Sequence, residues 1–201
     1  HLGLPGQQQA LLEAIYATGT PIVAVLMSGR PLVIPWIAEH VPAIVQAWHG
    51  GIRTGRAVAD ILFGHVNPSG KLTASFPRTE GQIPVYYAHK STGRPVEGPG
   101  TMQFNQAHKS QYLDEVNAPQ FAFGYGLSYT TFSYSNLQVE TPVLGADKNS
   151  PLGKTLVVTA VVQNTGDRAG DEIVQLYTRD LVGSVTRPVK ELKGFQRISL
   201  A

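Results

Sequence analysis

Between positions 7 and 18 the apolar residues recur at helical spacing: Ala10, Leu11, Ala14 and Ile15 form a stripe that Leu12 and Tyr16 widen. Gly19 stands where a C-terminal cap is expected, so the pattern predicts a helix over residues 7–18. Pro21 then opens an unbroken apolar run, Ile22-Val23-Ala24-Val25-Leu26-Met27. A run that is short, continuous and β-branched predicts a strand covered on both faces in a parallel sheet. After Ser28-Gly29-Arg30-Pro31 the cycle repeats. A short helix is expected around 36–40, an apolar strand over 43–48 ending in His49-Gly50-Gly51, and a helix over 55–63 carrying Ala57, Val58, Ile61 and Leu62. Strands alternating with helices predict an α/β layer.

The texture changes after Gly64. Asn67-Pro68-Ser69-Gly70 is a strong turn signal, and residues 71–76 alternate as an exposed or edge strand would. Residues 84–119, rich in Gly, Pro, His and polar side chains, read as a long loop of the kind that is functional or wraps a neighbour. From Thr130 the pattern is all-β, with strands over 132–139, 155–163, 172–178 and 189–200. An immunoglobulin-like sandwich needs about seven strands, so this module is expected to be incomplete. Ending on an apolar strand leaves an edge without a partner sheet, and the isolated chain is expected to be partly molten.

Composition narrows the function classes. The 201 residues carry 16 basic and 14 acidic side chains scattered singly, a net +2, so no basic stripe exists to track phosphates and nucleic acid is not an expected partner. The absence of cysteine removes disulfides, thiolate metal sites and cysteine nucleophiles. Apolar runs are too short to span a bilayer, so no membrane partner is expected. The chain opens at His1 without an initiator methionine or a leader, which reads as soluble and already processed. Ser28 lacks the glycine two residues earlier that a nucleophile elbow requires, and no phosphate-binding glycine motif occurs. His40, His49 and His65 lack zinc-ligand spacing, so neither a metal nor a cofactor is expected.

Several segments, in order, resemble the β-glucosidase pattern of glycoside hydrolase family 3. They include Leu4-Pro5-Gly6-Gln7-Gln8, Gly29-Arg30-Pro31-Leu32, Trp48-His49-Gly50-Gly51 and Ala59-Asp60-Ile61-Leu62-Phe63-Gly64. The stretches Asn67-Pro68-Ser69-Gly70-Lys71-Leu72, Gly81-Gln82-Ile83-Pro84-Val85-Tyr86-Tyr87 and Phe123-Gly124-Tyr125-Gly126-Leu127-Ser128-Tyr129 are similar almost residue for residue to large periplasmic members. Arg187-Pro188-Val189-Lys190-Glu191-Leu192-Lys193-Gly194-Phe195 resembles the fibronectin type III-like domain that follows in those enzymes. The resemblance implies an N-terminally incomplete α/β sandwich domain over residues 1–129 and an incomplete fibronectin type III-like sandwich over 130–201. It implies the C-terminal portion of a periplasmic or secreted retaining β-glucosidase acting on terminal non-reducing β-D-glucosyl residues. The expected partners are an upstream barrel domain, a β-glucoside or oligosaccharide substrate and, in the intact enzyme, a homodimer mate. The preference between glucosides and xylosides stays open. The alternative is a non-catalytic carbohydrate-binding or domain-interface module.

Retaining hydrolysis needs a nucleophilic carboxylate and a protonated carboxylic acid about 5–5.5 Å apart. By the resemblance the nucleophile belongs to the barrel, and the acid/base glutamate lies a handful of residues before Leu4-Pro5-Gly6, ahead of His1. Glu13, Glu39, Asp60, Glu80, Glu97, Asp114 and Glu115 fall outside the family's catalytic motifs, so no catalytic residue is assigned and the chain alone is expected to be inactive. Ligands of open α/β sheets bind beyond the carboxyl ends of strands, which makes Arg30 and His49 the candidate substrate-binding or cleft-wall residues. The plainer alternative has Arg30 tying a loop to a carboxylate and His49 satisfied in the interior. Trp48 is read as core rather than as a sugar platform. Tyr86, Tyr87, His89, Arg94 and Phe104 suit a sugar site or, more simply, a domain contact. Phe121, Phe123, Tyr125 and Tyr129 are read as an aromatic hinge.

Overall fold

The computed structural model describes residues 1–95, 108–140 and 157–201. Glu97 and Phe104 lie outside the described residues, as do the first two positions of the strand expected over 155–163.

Helix α1 spans Gln8–Tyr16 and is followed by strand β1, Val23–Leu26, helix α2, Pro35–His40, strand β2, Ala43–Gln46, and helix α3, Thr54–Leu62. Pro35 opens α2 at a position whose N–H would be unpaired in any case. β1 and β2 are parallel, in register from Val23 opposite Ala43 to Leu26 opposite Gln46. The core gathers Ala24 and Leu26 of β1 with Leu32, Ile34, Ile37, Val41 and Phe76.

β1 is covered on one face only, contrary to the expectation from its continuous apolar run. Ala24 and Leu26 are buried, whereas Val23 stays 50% exposed. The reason is thin helical cover: no residue of α1 is buried, and within α1 only Leu12 packs against the core. α1 instead meets α2 through an aromatic cluster. Trp36 and His40 stack with ring centroids 4.6 Å apart, and Tyr16 meets both edge-on at 5.4 Å.

No strand forms over residues 71–76, where an edge strand was expected. Main-chain bonds nonetheless tie this segment to residues 120–125: Leu72 N–H donates to the Tyr125 carbonyl at 2.8 Å and Phe76 N–H to the Phe121 carbonyl at 2.8 Å. Between them the Phe123 N–H turns to the Ser75 hydroxyl at 3.3 Å, which interrupts the ladder.

The long polar stretch is anchored by Gln82, which is 1% exposed. Its amide oxygen accepts the Arg78 N–H at 2.7 Å, its amide nitrogen donates to the Val116 and Ala118 carbonyls at 3.0 and 3.3 Å, and its own carbonyl accepts the Tyr112 hydroxyl at 3.0 Å. Gln82→Leu keeps the volume and orphans these side-chain partners. It is expected to destabilise by about 2–3 kcal/mol, read as a lowered urea midpoint.

Four strands follow: β3, Phe132–Glu140, β4, Val157–Asn164, β5, Gly170–Thr178, and β6, Glu191–Leu200. They form two antiparallel pairs, β3 with β4 and β5 with β6. The connection from Asn164 to Gly170 therefore passes from one pair to the other. Two side-chain hubs fasten these pairs to the α/β part. Asn67 donates to the Ala169 carbonyl at 3.1 Å and accepts the Ser128 hydroxyl and the Tyr129 N–H, each at 2.8 Å. Lys71 lies 3.2 Å from the Glu172 carboxylate, which also accepts the Tyr134 hydroxyl at 2.8 Å. Burial, with the Glu172 hydrogen bond and charge behind it, pushes the Tyr134 phenol far above its ordinary value, so it remains a donor.

Candidate functional site

The turns after β1 and β2 come together. The Ser28 hydroxyl donates to the Arg30 carbonyl at 2.7 Å, closing the first turn. A β-carbon at Gly29 would lie 2.8 Å from Nε2 of His49, so a larger residue there would push the imidazole off the turn. His49 is exposed, not interior. Trp48 ahead of it takes φ 52°, the left-handed region that costs a bulky residue of order 1–3 kcal/mol. Packing holds it there: Trp48 joins the core cluster, with its ring centroid 6.1 Å from that of Phe76. Trp48 is thus a core residue, as its apolar context suggests.

Arg30 is exposed and borders a cavity of about 460 Å³, shared with Leu2, Ser75, Tyr86, Tyr87 and Phe123. Its guanidinium lies 3.5 Å from the His1 carbonyl rather than on a carboxylate. His49 does not line this cavity, so the structure connects the two candidates only through Gly29. Among the described residues, no carboxylate lines the cavity either.

Three of the acids have their partners away from this cavity. Glu13 accepts the Gln9 side-chain amide at 2.7 Å, Asp60 pairs with Arg56 and His65 at 3.6 and 3.5 Å, and Glu115 accepts the neighbouring Val116 N–H at 2.8 Å. Asp114 is exposed. The arrangement offers a walled, largely apolar recess with hydroxyls at Ser75, Tyr86 and Tyr87 but, among the described residues, no carboxyl group to protonate a leaving oxygen or to attack. Among the described residues no three His, Asp or Glu side chains gather as metal ligands, and no helix is long and apolar enough to cross a membrane.

An aromatic seam closes the recess toward β5. Tyr87 stacks on Phe123 with centroids 4.2 Å apart and planes 15° apart, and Tyr177 meets Tyr87 edge-on at 6.0 Å. Burial, with the neighbouring Tyr87 second, pushes the Tyr177 phenol up. Its hydroxyl donates to Gln175 at 2.6 Å, and Gln175 donates in turn to the Gly124 carbonyl at 3.0 Å. The Val189 N–H donates to the His89 carbonyl at 2.9 Å, so this part of the polar loop does contact the β region. Tyr125 stacks on Phe121 at 5.6 Å and the Tyr129 hydroxyl donates to the Ile61 carbonyl at 2.9 Å, contacts that stay within residues 1–129.

Sequence reasoning did not single out Glu80, which accepts the Leu2 N–H across 78 positions, or the Lys71–Glu172 pair. Glu80 carries no local signal. Lys71 had one, its place directly after the Asn67-Pro68-Ser69-Gly70 turn.

Residues 1–129 match the glycosyl hydrolase family 3 C-terminal domain, and residues 172–201 match a fibronectin type III-like domain. The chain is 45% identical over 200 residues to a periplasmic beta-glucosidase of Salmonella typhimurium, a match covering 100% of the chain and 25% of that protein. It is 47% identical over 199 residues to a beta-xylosidase of Formosa agariphila, covering 99% of the chain and 25% of that protein. A crystal structure of a beta-glucosidase from Listeria innocua superposes with a TM-score of 0.85 at 40% identity, covering 99% of the chain and 26% of that structure. The chain thus spans about a quarter of the length of the curated relatives it matches. With strand-end turns, recess and aromatic seam carried on residues that match a family model over more than half the chain, this protein belongs to glycosyl hydrolase family 3.

Proposed function

We propose that this chain is the C-terminal scaffold of a longer retaining β-glucosidase, acting on terminal non-reducing β-D-glucosyl residues in the periplasm or outside the cell. Residues 1–129 are a partial α/β sandwich domain and 130–201 a partial fibronectin type III-like sandwich. The upstream barrel supplies the nucleophile. The acid/base glutamate enters just ahead of His1, Arg30 stands on the recess wall, and His49 backs the Gly29 turn beside it. The observation that carries this reading is a recess at the carboxyl end of β1 whose described lining holds Arg30 and no carboxylate. The relatives' names support the substrate class, and their greater length supports a barrel partner.

In such an enzyme one carboxylate attacks the anomeric carbon while the carboxylic acid protonates the departing oxygen, and water later releases the sugar. The scaffold contributes order: a wall that excludes water and a fixed seat for the acid. The test is hydrolysis of an aryl β-glucoside and an aryl β-xyloside by the chain alone and by the full-length gene product. Turnover by the longer protein only is expected, with the glucoside preferred. Turnover by the chain alone would overturn the assignment of roles. A xyloside preference would move the substrate to the activity named in the Formosa agariphila relative.

A further inference from the structure

The start of the chain is gripped from several directions. The Val33 N–H donates to the Leu2 carbonyl at 2.9 Å, the Leu2 N–H donates to the Glu80 carboxylate, and the Arg30 guanidinium approaches the His1 carbonyl. The Leu2 side chain lines the recess and Leu4 packs against the core. Glu80 is itself held at its base, because it opens the single turn Glu80–Gln82 whose buried Gln82 is bonded to Arg78 and to Val116 and Ala118. A charged acceptor on a backbone N–H makes roughly twice as strong a bond as a neutral one. With its N–H and its carbonyl both tied, Leu2 is a fixed point beside the recess. Each residue spans at most about 3.5 Å, so a group six residues ahead stays within about 20 Å of it.

We propose that Glu80 is a positioning residue for the acid/base carboxylic acid: by anchoring Leu2 it sets where the acid-bearing segment leaves the α/β layer. The inference rests on the proposed β-glucosidase reading. In the step concerned, the nucleophilic carboxylate forms a bond to the anomeric carbon as the bond from that carbon to the glycosidic oxygen breaks. The electron pair goes to that oxygen, which takes the proton of the acid and leaves as an alcohol. A good leaving group departs without the proton. A poor one cannot, so misplacing the acid slows poor leaving groups selectively.

The experiment uses the full-length gene product and compares phenyl β-glucoside with 2,4-dinitrophenyl β-glucoside. Glu80→Ala is expected to lower kcat/KM for the phenyl substrate about tenfold, a fraction of the 10²–10⁴ that general acid catalysis supplies, and to leave the dinitrophenyl substrate within about threefold. Glu80→Gln, which keeps an acceptor for the Leu2 N–H, is expected to restore most of the loss. Glu80→Asp, too short to reach, should behave as alanine does and covers the case in which the alanine variant folds poorly. Equal losses on both substrates, or no loss on either, would overturn the inference. If the unmodified gene product hydrolyses neither glucoside, the β-glucosidase reading itself fails, an outcome separate from a failure of the Glu80 variants.

Discussion

Phe76→Ala is expected to lower the free energy of unfolding by about 3–5 kcal/mol, the range for deleting a large side chain from a packed core. Phe76 is 2% exposed and lies among rings, with centroids 6.1 Å from Trp48 and 6.2 Å from Phe121. Its main chain is pinned as well: the N–H donates to the Phe121 carbonyl and the carbonyl accepts the Gln120 N–H, both at 2.8 Å. A backbone held on both sides cannot sink into the space the ring vacates, so the cavity term adds to the lost burial. Urea unfolding followed by the fluorescence of Trp36 and Trp48 measures it. Phe76→Leu should cost less, about 1–1.5 kcal/mol, because most of the volume is kept. A Phe76→Ala loss below 1 kcal/mol would mean that the site collapses freely and that Phe76 does not anchor the core.

Lys71→Met is expected to cost about 2–4 kcal/mol and to loosen the β pairs from the α/β part. The Lys71 and Glu172 side chains are 14% and 11% exposed, so the ion pair is largely out of water. Removing one partner leaves a desolvated charge, which costs several kcal/mol when fully buried and somewhat less here. Lys71 also donates to the Gly126 carbonyl at 2.8 Å, and among the described residues Glu172 would keep the Tyr134 hydroxyl alone. The β-carbon of an alanine at Gly126 would lie 2.3 Å from the Gly70 carbonyl, so the strands of chain at this junction are too close to rearrange around the loss. The double variant Lys71→Met with Glu172→Leu should recover most of the stability, since an apolar pair of similar size carries no stranded charge. Faster proteolysis between Gly126 and Thr131 in Lys71→Met, reversed in the double variant, is the expected signature. Independent, additive effects of the two substitutions would show that the pair is not coupled.

Local pattern reads well where an element's own residues decide it. The stripe of Leu11, Ala14 and Ile15 and the cap at Gly19 bracket α1 to within two residues, β1 and β2 fall inside their predicted spans, and α3 is displaced from its span by one residue. Proline and glycine at Pro35 and Gly64 bound the neighbouring helices for the same reason. The alternation in residues 71–76 was real but did not make a strand. A hydroxyl at Ser75 competes for the Phe123 N–H, and that competition depends on a segment almost fifty positions away. Likewise Arg30 and His49 could be placed at strand ends by the rule for open α/β sheets. That they meet only through Gly29, with one on the recess and the other outside it, is set by how the two turns pack in the tertiary fold.

By itself the sequence determined the order of helices and strands, apart from the strand expected over 71–76, with the class of each region and the resemblance that names the family. These follow from residue periodicity and turn chemistry, which act over a few positions. Tertiary structure alone decided which side chains close distances of tens of residues: Glu80 to Leu2, Asn67 to Ala169, Lys71 to Glu172. A lone carboxylate or amide looks the same in sequence whether it is solvated or fastening two parts of a fold. Only the path of the chain through space sets which donor stands opposite it, and how much water is left between them.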